Sequence, residues 1–351
     1  MTAREKKTKR KSRKTAEVTV LPAPPRERAG TGLRSLELRN VRCFVSVDVP
    51  LDAKVTVIIG QNGSGKTTIA EVLASLAHGD DEGLEEFPLR RDATDGSIAL
   101  IGDGAEPLAS WAKPSRGRAR SRLSADRLLF AYGRYRRVHS PEAPIRNLGG
   151  MPLLGPEWEK SLAKPRPDSL ESATRRPRTQ SVMRPDSALL RDIGDYLPLL
   201  YARRASDPAI ERAWQRFDTS LAELDERIER IEVIERDSSV VTVLIRRGIP
   251  LELKELSDGY QAMLAIIVDL LIWYVHLFAD LPDPLCGEAT VVIDEVDLHL
   301  HPRWQRAVIG QLTHLFPATQ FILTTHSAAV VQGAIDQRYP VLVLEDEKHG
   351  E

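Results

Sequence analysis

Cysteine and net charge are both scarce in this chain, and each scarcity excludes a class of protein. The 351 residues include two cysteines, Cys43 and Cys286, which lie far apart and in no C-x-x-C pattern. Neither a disulfide framework nor a cysteine-based zinc site is therefore expected. The formal net charge is −1, so the chain as a whole is not a general binder of polyanions.

Long uninterrupted apolar runs are scarce as well. Residues 262–278 are nearly all apolar, but Asp269 and His276 interrupt them and the run is slightly short for a bilayer span. We therefore predict a buried core helix rather than a membrane segment. The positive charges near the N-terminus precede no apolar stretch of the kind that a secretory signal has. A cytoplasmic protein without a membrane partner is expected.

Charge is unevenly spread along the chain. Residues 1–30 hold ten Lys and Arg against three Asp and Glu, and they show no apolar period. This composition predicts a disordered basic tail, which serves either as a solubilising arm or as a weak contact for nucleic acid or an acidic partner. The remaining pattern predicts an N-terminal lobe at 31–137, an Arg/Pro-rich and helical insertion at 138–249 that forms a lid or short arm, and a C-terminal lobe at 250–351.

Apolar runs predict strands within 33–60 and at 97–101, 127–132, 290–293, 320–323 and 341–344. Helices alternate with strands in both lobes, which predicts an α/β fold with a largely parallel sheet. Apolar residues of the insertion recur at steps of three or four, which predicts one amphipathic helix over 207–235. The apolar residues at this spacing are Trp214, Phe217, Leu221, Leu224, Ile228 and Ile231. This helix packs on a small core of the insertion or forms a short coiled-coil arm. A hairpin is expected at 240–253.

The most informative motif is a loop of the form G-x-x-x-x-G-K-[ST], between an apolar strand and a helix-like segment. That context is the one that a phosphate-binding loop requires. Backbone N–H groups of such a loop cradle phosphates, Lys66 reaches the β- and γ-phosphates, and the Thr67 hydroxyl can hold Mg²⁺. The predicted nucleotide-binding residues here are Gly60, Asn62, Gly63, Ser64, Gly65, Lys66, Thr67 and Thr68.

Two later strands end in groups that suit phosphate chemistry. The strand 290–293 leads into Asp294, which can bind Mg²⁺, and Glu295, which would face the attacking water as a general base or polariser. Another strand ends at His326, which is either a structural residue or a contact to the γ-phosphate. We predict Lys66, Glu295 and His326 as catalytic residues, and Thr67 and Asp294 as Mg²⁺ ligands.

A fourth motif, Leu256-Ser257-Asp258-Gly259, precedes the apolar helix. Ser257 can simply cap that helix. Alternatively, Ser257, the Gly259 backbone and the helix N-terminus form an anion site for a γ-phosphate. Because the phosphate loop already holds the nucleotide of its own subunit, that phosphate would belong to a second subunit.

These four motifs, in this order, resemble those of an ABC-type ATPase head, and specifically its RecF/SMC/OLD-like branch. They correspond to Walker A at 60–68, the signature at 256–259, Walker B at 291–295 and the switch histidine at 325–326. The stretches 36–42 and 294–302 are also similar to that branch. The resemblance covers about residues 33–137 and 250–345. The chain departs from the pattern at Asp258 and Tyr260 of the signature, and at Gly133-Arg134, where a Q-loop glutamine is usual.

The resemblance implies a P-loop NTPase of ABC-ATPase type, with a mostly parallel sheet, an antiparallel N-terminal β-subdomain and a helical insertion. It implies that two heads sandwich two ATP molecules with Mg²⁺, each bound by one head's loop and by Ser257 and Gly259 of the other. Asp297 would then lie at the dimer seam.

The same resemblance implies an ATPase that acts as a dimerising switch in anti-phage defence or DNA repair. About 25 residues follow His326, too few for a nuclease domain, so a separate effector protein such as a nuclease is expected. DNA would be contacted through the Arg-rich segments 116–122 and 175–178 and the basic tail. A transporter ATPase subunit and a non-catalytic ATP-binding scaffold are the alternatives.

Three further side chains suggest a different site. Asp297, His299 and His301 alternate along the chain and could present metal ligands to one face. Pro302 suits entry into a helix instead, so we favour a structural role for this stretch.

Overall fold

The computed structural model describes residues 18–21, 33–78, 89–104, 106–115, 120–123, 128–134, 137–138, 189–190, 193–224, 228–236, 239–252 and 255–345. Its strands are β1 Val18–Leu21, β2 Leu33–Val41, β3 Phe44–Pro50, β4 Val55–Gly60, β5 Gly96–Gly102, β6 Ala109–Lys113, β7 Arg120–Leu123, β8 Leu129–Tyr132, β9 Arg137–Val138, β10 Leu189–Leu190, β11 Ile228–Arg236, β12 Ser239–Arg246, β13 Ile249–Glu252, β14 Thr290–Ile293, β15 Gln320–Thr325 and β16 Val341–Leu344. Its helices are α1 Lys66–His78, α2 Ile193–Arg203, α3 Pro208–Leu224, α4 Asp258–Leu277, α5 Pro302–Leu315 and α6 Ala328–Asp336.

A six-stranded sheet forms the centre of the fold. Its strand order is β1-β16-β4-β15-β14-β8, and every pairing except that of β1 with β16 is parallel. The inner strands are short continuous apolar runs, as is typical of parallel strands that are buried on both faces. The predicted α/β fold with a mostly parallel sheet is confirmed.

Alternate residues of the central strands face two separate hydrophobic cores, because successive side chains of a strand point to opposite faces. On one face, Ile58, Val292, Ile322 and Leu342 pack with α1 and with a second, antiparallel sheet. On the other face, Val57, Val291, Ile293, Phe321, Leu323 and Val341 pack with α3, α4 and α5. The sheet is therefore the middle layer of three, and its strand ends are held from both sides.

The antiparallel sheet, of order β3-β2-β5-β6-β7, is the predicted N-terminal β-subdomain. Polar and apolar residues alternate along β2 and β3, so that one face is buried against α1. The strands predicted within 33–60 and at 97–101 are confirmed. Strands β6 and β7 were not predicted, because both are short, β6 has small residues around a single Trp111, and β7 has two arginines among its four residues.

The single helix predicted over 207–235 is wrong in its second half. Helix α3 ends at Leu224, and β11 begins at Ile228 as the first strand of an antiparallel sheet of order β11-β12-β13. Ile228 and Ile231 continue the helical spacing by coincidence, while the β-branched residues of β11 favour a strand. The Asp218 carboxylate of α3 accepts a hydrogen bond from the Ile231 N–H at 2.7 Å, which fixes the strand against the helix. The hairpin predicted at 240–253 is confirmed.

The prediction of a disordered tail over 1–30 is wrong for residues 18–21. These residues form β1, which pairs antiparallel with β16 at the edge of the central sheet. Val20 and Leu21 remain largely exposed, so main-chain pairing of a β-branched run, rather than burial, accounts for this strand. The rest of the predicted tail lies outside the described residues, as does most of the insertion between 139 and 188.

Helix α4 is the buried core helix that the apolar run predicted. By length and composition it is the one helix among the described residues that could cross a membrane. However, 67% of its most apolar 18-residue stretch, within Gly259–Leu277, is buried inside the fold. Leu264, Ile267 and Leu271 are among its residues in the larger core. Its apolar character is explained by packing on all sides.

Candidate functional site at the strand ends

The loop between β4 and α1 has a backbone that depends on glycine. Gly63 and Gly65 have φ angles of 87° and 101°, in the left-handed region that side chains disfavour. A Cβ added to Gly65 would also lie 2.2 Å from Cζ of Phe44 in β3. The loop is thus pressed against the β2–β3 hairpin, and only glycine fits there.

Two polar side chains of this loop are buried without solvent to satisfy them. Lys66 is 5% exposed, and its Nζ donates hydrogen bonds to the carbonyl oxygens of Gly60 at 2.8 Å and Gln61 at 2.9 Å. Ser64 is also 5% exposed, and its Oγ has no hydrogen-bond partner in the described structure. A buried hydroxyl without a partner is costly, and phosphate oxygens at the N-terminus of α1 would supply one.

Asp294, at the end of β14, lies directly against this loop. It is 1% exposed, and its Oδ2 accepts a hydrogen bond from Thr67 Oγ1 at 3.0 Å. Its Oδ1 accepts one from Thr324 Oγ1 of β15 at 2.5 Å. A hydroxyl oxygen and a carboxylate oxygen that are 227 positions apart in the chain therefore lie together as a pair of possible metal ligands. Such oxygens are the ligands that Mg²⁺ prefers, so the residues present fit that ion.

Glu295 and His326 line the same cleft, a cavity of about 470 Å³ that also contains Lys66 and Thr67. The Glu295 N–H donates to Thr324 Oγ1 at 2.8 Å, and its φ of 50° is unusual for a residue with a side chain. The exposed His326 follows β15. Its N–H donates to Asp297 Oδ1 at 3.3 Å, so its backbone is anchored at the cleft that the residue lines.

Arg42, Cys43 and Arg134 line this cleft too. Arg134 follows β8 at the position of the missing Q-loop glutamine, and Arg42, in the β2–β3 turn, forms an ion pair with Glu71 of α1. No sequence pattern predicted a role in the cleft for Arg42 or Cys43. Strands were predicted within 33–60, but the contact of the β2–β3 hairpin with the loop is a tertiary one that no local pattern encodes.

Ser257 and Gly259 lie away from this cleft. They line another cavity of about 610 Å³, together with Tyr260, His299 and Trp304. Ser257 precedes α4 as a helix cap would, but its side chain makes no capping hydrogen bond and is exposed. A single chain therefore does not bring Ser257 and Gly259 to its own phosphate loop.

Gly259 is packed tightly against the loop that follows Walker B. A Cβ added to it would lie 1.9 Å from the carbonyl oxygen of His299, a residue that itself has a φ of 63°. The glycine is thus required by packing within the chain, whatever its backbone contributes to anion binding. The contact also connects α4 to the segment that carries Asp294 and Glu295.

Gly259→Ala is therefore expected to destabilise the protein by about 1–3 kcal/mol, since the His299 backbone must move to relieve the overlap. Gly310→Ala is the matched control, because its added Cβ would meet Gln337 at an ordinary 3.5 Å and alanine favours the helix. Urea unfolding of both variants measures the difference. Equal stability of Gly259→Ala and the wild type would mean that the His299 loop yields freely.

Two of the three residues considered as metal ligands form hydrogen bonds to other groups. Asp297 bonds to the Thr325 hydroxyl and the His326 N–H, and His301 Nδ1 accepts a hydrogen bond from the Arg303 N–H as the cap of α5. No cluster of three or more possible ligands occurs among the described residues. The Arg-rich segment at 175–178 lies outside the described residues, and of 116–122 only the β7 backbone lies within them.

Two family models match the chain. Residues 159–332 match "AAA domain, putative AbiEii toxin, Type IV TA system", and residues 35–107 match "AAA domain". The first match contains residues 256–259, 291–295 and 325–326.

Parts of the chain are similar to curated proteins. It is 35% identical over 109 residues to the retron Vc95 probable ATPase of Vibrio cholerae serotype O1 biovar El Tor, which is 31% of this chain and 21% of that protein. It is 37% identical over 97 residues to the Septu protein PtuA of Bacillus mycoides (strain KBAB4), which is 28% of this chain and 13% of that protein. The chain thus matches about a fifth or less of the length of these relatives.

Among solved structures, the chain is similar to an SMC head bound to the C-winged helix domain of ScpA. The TM-score is 0.48 at 15% sequence identity, and the superposition covers 90% of this chain and 98% of that one.

Proposed function

We propose that the chain hydrolyses ATP at the cleft around Lys66. Its matches to two AAA-domain models and its partial similarity to a retron ATPase and to Septu PtuA support this proposal. The observation that carries this proposal is the hydrogen bond between Thr67 Oγ1 and Asp294 Oδ2. It joins the end of the phosphate loop to the acidic end of β14, with Glu295 and His326 in the same cavity.

Each residue of the cleft has a separate role in this proposal. The loop N–H groups and the α1 N-terminus bind the phosphates, and Lys66 exchanges the Gly60 and Gln61 carbonyls for phosphate oxygens. Thr67 and Asp294 hold Mg²⁺, which neutralises charge on the phosphates when bound. Glu295 orients the attacking water and accepts its proton, while His326 donates a hydrogen bond to the γ-phosphate.

We further propose that ATP binding drives the association of two chains. Ser257 is exposed, carries an unused hydroxyl, and begins a 20-residue helix whose N-terminus favours an anion. It lies in a different cavity from the chain's own loop. A second chain would therefore supply the phosphate that Ser257 and the Gly259 backbone bind, and hydrolysis would release the pair.

The biological setting that we propose is anti-phage defence, with a separate effector protein. The named relatives are retron and Septu proteins, which favours defence over DNA repair. The trigger is either DNA, contacted by the Arg-rich segments, or another protein.

The proposal is tested by measuring ATP turnover of the purified chain with and without duplex or single-stranded DNA. Turnover that DNA stimulates supports a DNA-responsive ATPase, and turnover indifferent to DNA moves the trigger to a protein partner. ATP binding without turnover under either condition would favour the scaffold alternative and contradict the enzyme proposal.

Ser257→Ala tests the association step. We expect the variant to bind ATP as the wild type does, because the residue lies outside the cleft, but to lose ATP-dependent dimerisation measured by light scattering. The serine variants are compared in proteins that also carry Glu295→Gln, a substitution expected to slow hydrolysis and so keep the ATP-bound state populated. Ser206→Ala, at an exposed serine between α2 and α3, is the control. Undiminished dimerisation of Ser257→Ala would exclude the serine from the interface.

A further inference from the structure

Helix α4 carries a buried carboxylate that the chemistry proposed above does not use. Asp269 is 8% exposed and lies between apolar residues of the core. Its Oδ2 accepts a hydrogen bond from the Tyr132 hydroxyl at 2.8 Å, and Tyr132 is 3% exposed. Burying a carboxylate costs free energy that an apolar residue would not, so the pair calls for a reason beyond stability.

The position of Tyr132 suggests that reason. It is the last residue of β8, and its carbonyl oxygen accepts a hydrogen bond from the Asp294 N–H at 2.8 Å. Arg134, two residues later, lines the nucleotide cleft. Tyr132 thus contacts Asp294 through its backbone carbonyl and α4 through its hydroxyl. It is also covalently connected to Arg134, two residues further along the chain.

The position of Asp269 completes the connection. It lies ten residues after Gly259 on a continuous helix, about 15 Å along its axis. Elsewhere β8 meets α4 through ring contacts of Phe130 with Trp273 and Tyr274. Such apolar contacts tolerate small sliding and rotation, whereas a hydrogen bond between two buried side chains has one geometry.

We propose that the Tyr132–Asp269 hydrogen bond positions the signature helix relative to the nucleotide cleft, so that Ser257 meets a second chain only when Arg134 and Asp294 are in their ATP-bound places. Tyr132 and Asp269 are positioning residues, because neither side chain lines the cleft. This inference rests on the ATP-driven association proposed above. It predicts that the pair affects association and turnover, but not the binding of ATP to a single chain.

Tyr132→Phe removes the hydroxyl and keeps the ring. We expect kcat for ATP hydrolysis to fall about fivefold to tenfold, as loss of one buried hydrogen bond from the competent state would do. The Kd for a fluorescent ATP analogue should stay within about twofold of the wild type, because the phosphate loop is untouched. Asp269→Leu should lower kcat to a similar extent. Asp269→Asn keeps an oxygen that accepts the Tyr132 hydrogen bond and should keep kcat near that of the wild type.

Tyr274→Phe is the matched control, since it removes another buried tyrosine hydroxyl, one that lies on α4 and bonds to Thr319 away from the cleft. It should lower stability to a similar extent without changing kcat. If Tyr274→Phe slows turnover as much as Tyr132→Phe does, or if Tyr132→Phe weakens ATP binding in parallel with kcat, the positioning role is overturned.

Hydrogen exchange separates failure of this inference from failure of the proposed function. In the wild type, ATP should slow amide exchange at the start of α4, residues 259–263, and Tyr132→Phe should remove that effect while retaining protection of the phosphate loop. A wild type that neither dimerises nor hydrolyses ATP refutes the proposed function. A working wild type with an unaffected Tyr132→Phe variant refutes only the positioning role.

Discussion

Glu295→Gln is expected to lower ATP turnover by at least about 100-fold, which is the usual contribution of a general base. The residue follows β14 in the cleft, and its backbone is anchored to Thr324 by a 2.8 Å hydrogen bond. Glutamine keeps the shape of the side chain but cannot accept the proton of the attacking water. ATP binding should therefore be retained, and the ATP-bound dimer should accumulate. Steady-state turnover and light scattering with ATP measure the two effects.

Glu288→Gln is the matched control for this change, since it removes an exposed carboxylate shortly before the other end of β14. It should leave turnover unchanged. If Glu295→Gln hydrolyses ATP at the wild-type rate, Glu295 is not the base, and the scaffold alternative gains support.

Lys66→Ala is expected to weaken ATP binding about 10- to 100-fold. A charge-assisted hydrogen bond to a phosphate contributes about 1.5–3 kcal/mol, and each 1.4 kcal/mol is a tenfold change in Kd. Lys66 is almost fully buried at the start of α1, where no other lysine can replace it among the residues that line the cleft. Isothermal titration with Mg²⁺ and ATP measures the change.

Removal of Lys66 also deletes two hydrogen bonds to loop carbonyls, so folding must be checked by thermal denaturation. Lys113→Ala, at the end of β6 in the antiparallel sheet, is the control for loss of a lysine elsewhere. ATP binding by Lys66→Ala with wild-type affinity would place the phosphates elsewhere.

The predictions that held concern local patterns. A parallel strand that is buried on both faces is a continuous apolar run, so 290–293 and 341–344 were recognisable with their observed bounds. The predictions that failed concern segments whose partners decide their structure. Ile228 and Ile231 fit a helical period, but pairing with β12 places them on a strand. Val18–Leu21 form a strand because the edge of β16 is available.

The sequence by itself determined the phosphate loop, the acidic end of β14 and the histidine after β15, since each is encoded by neighbouring residues whose strand–loop chemistry is local. Only the tertiary structure decided which of these groups meet. Parallel pairing of β8, β14, β15 and β4 brings Arg134, Asp294, His326 and Thr67 to one edge of the sheet. The same packing places Ser257 in a different cavity and joins Tyr132 to Asp269, because contacts between distant segments depend on how two cores pack against one sheet.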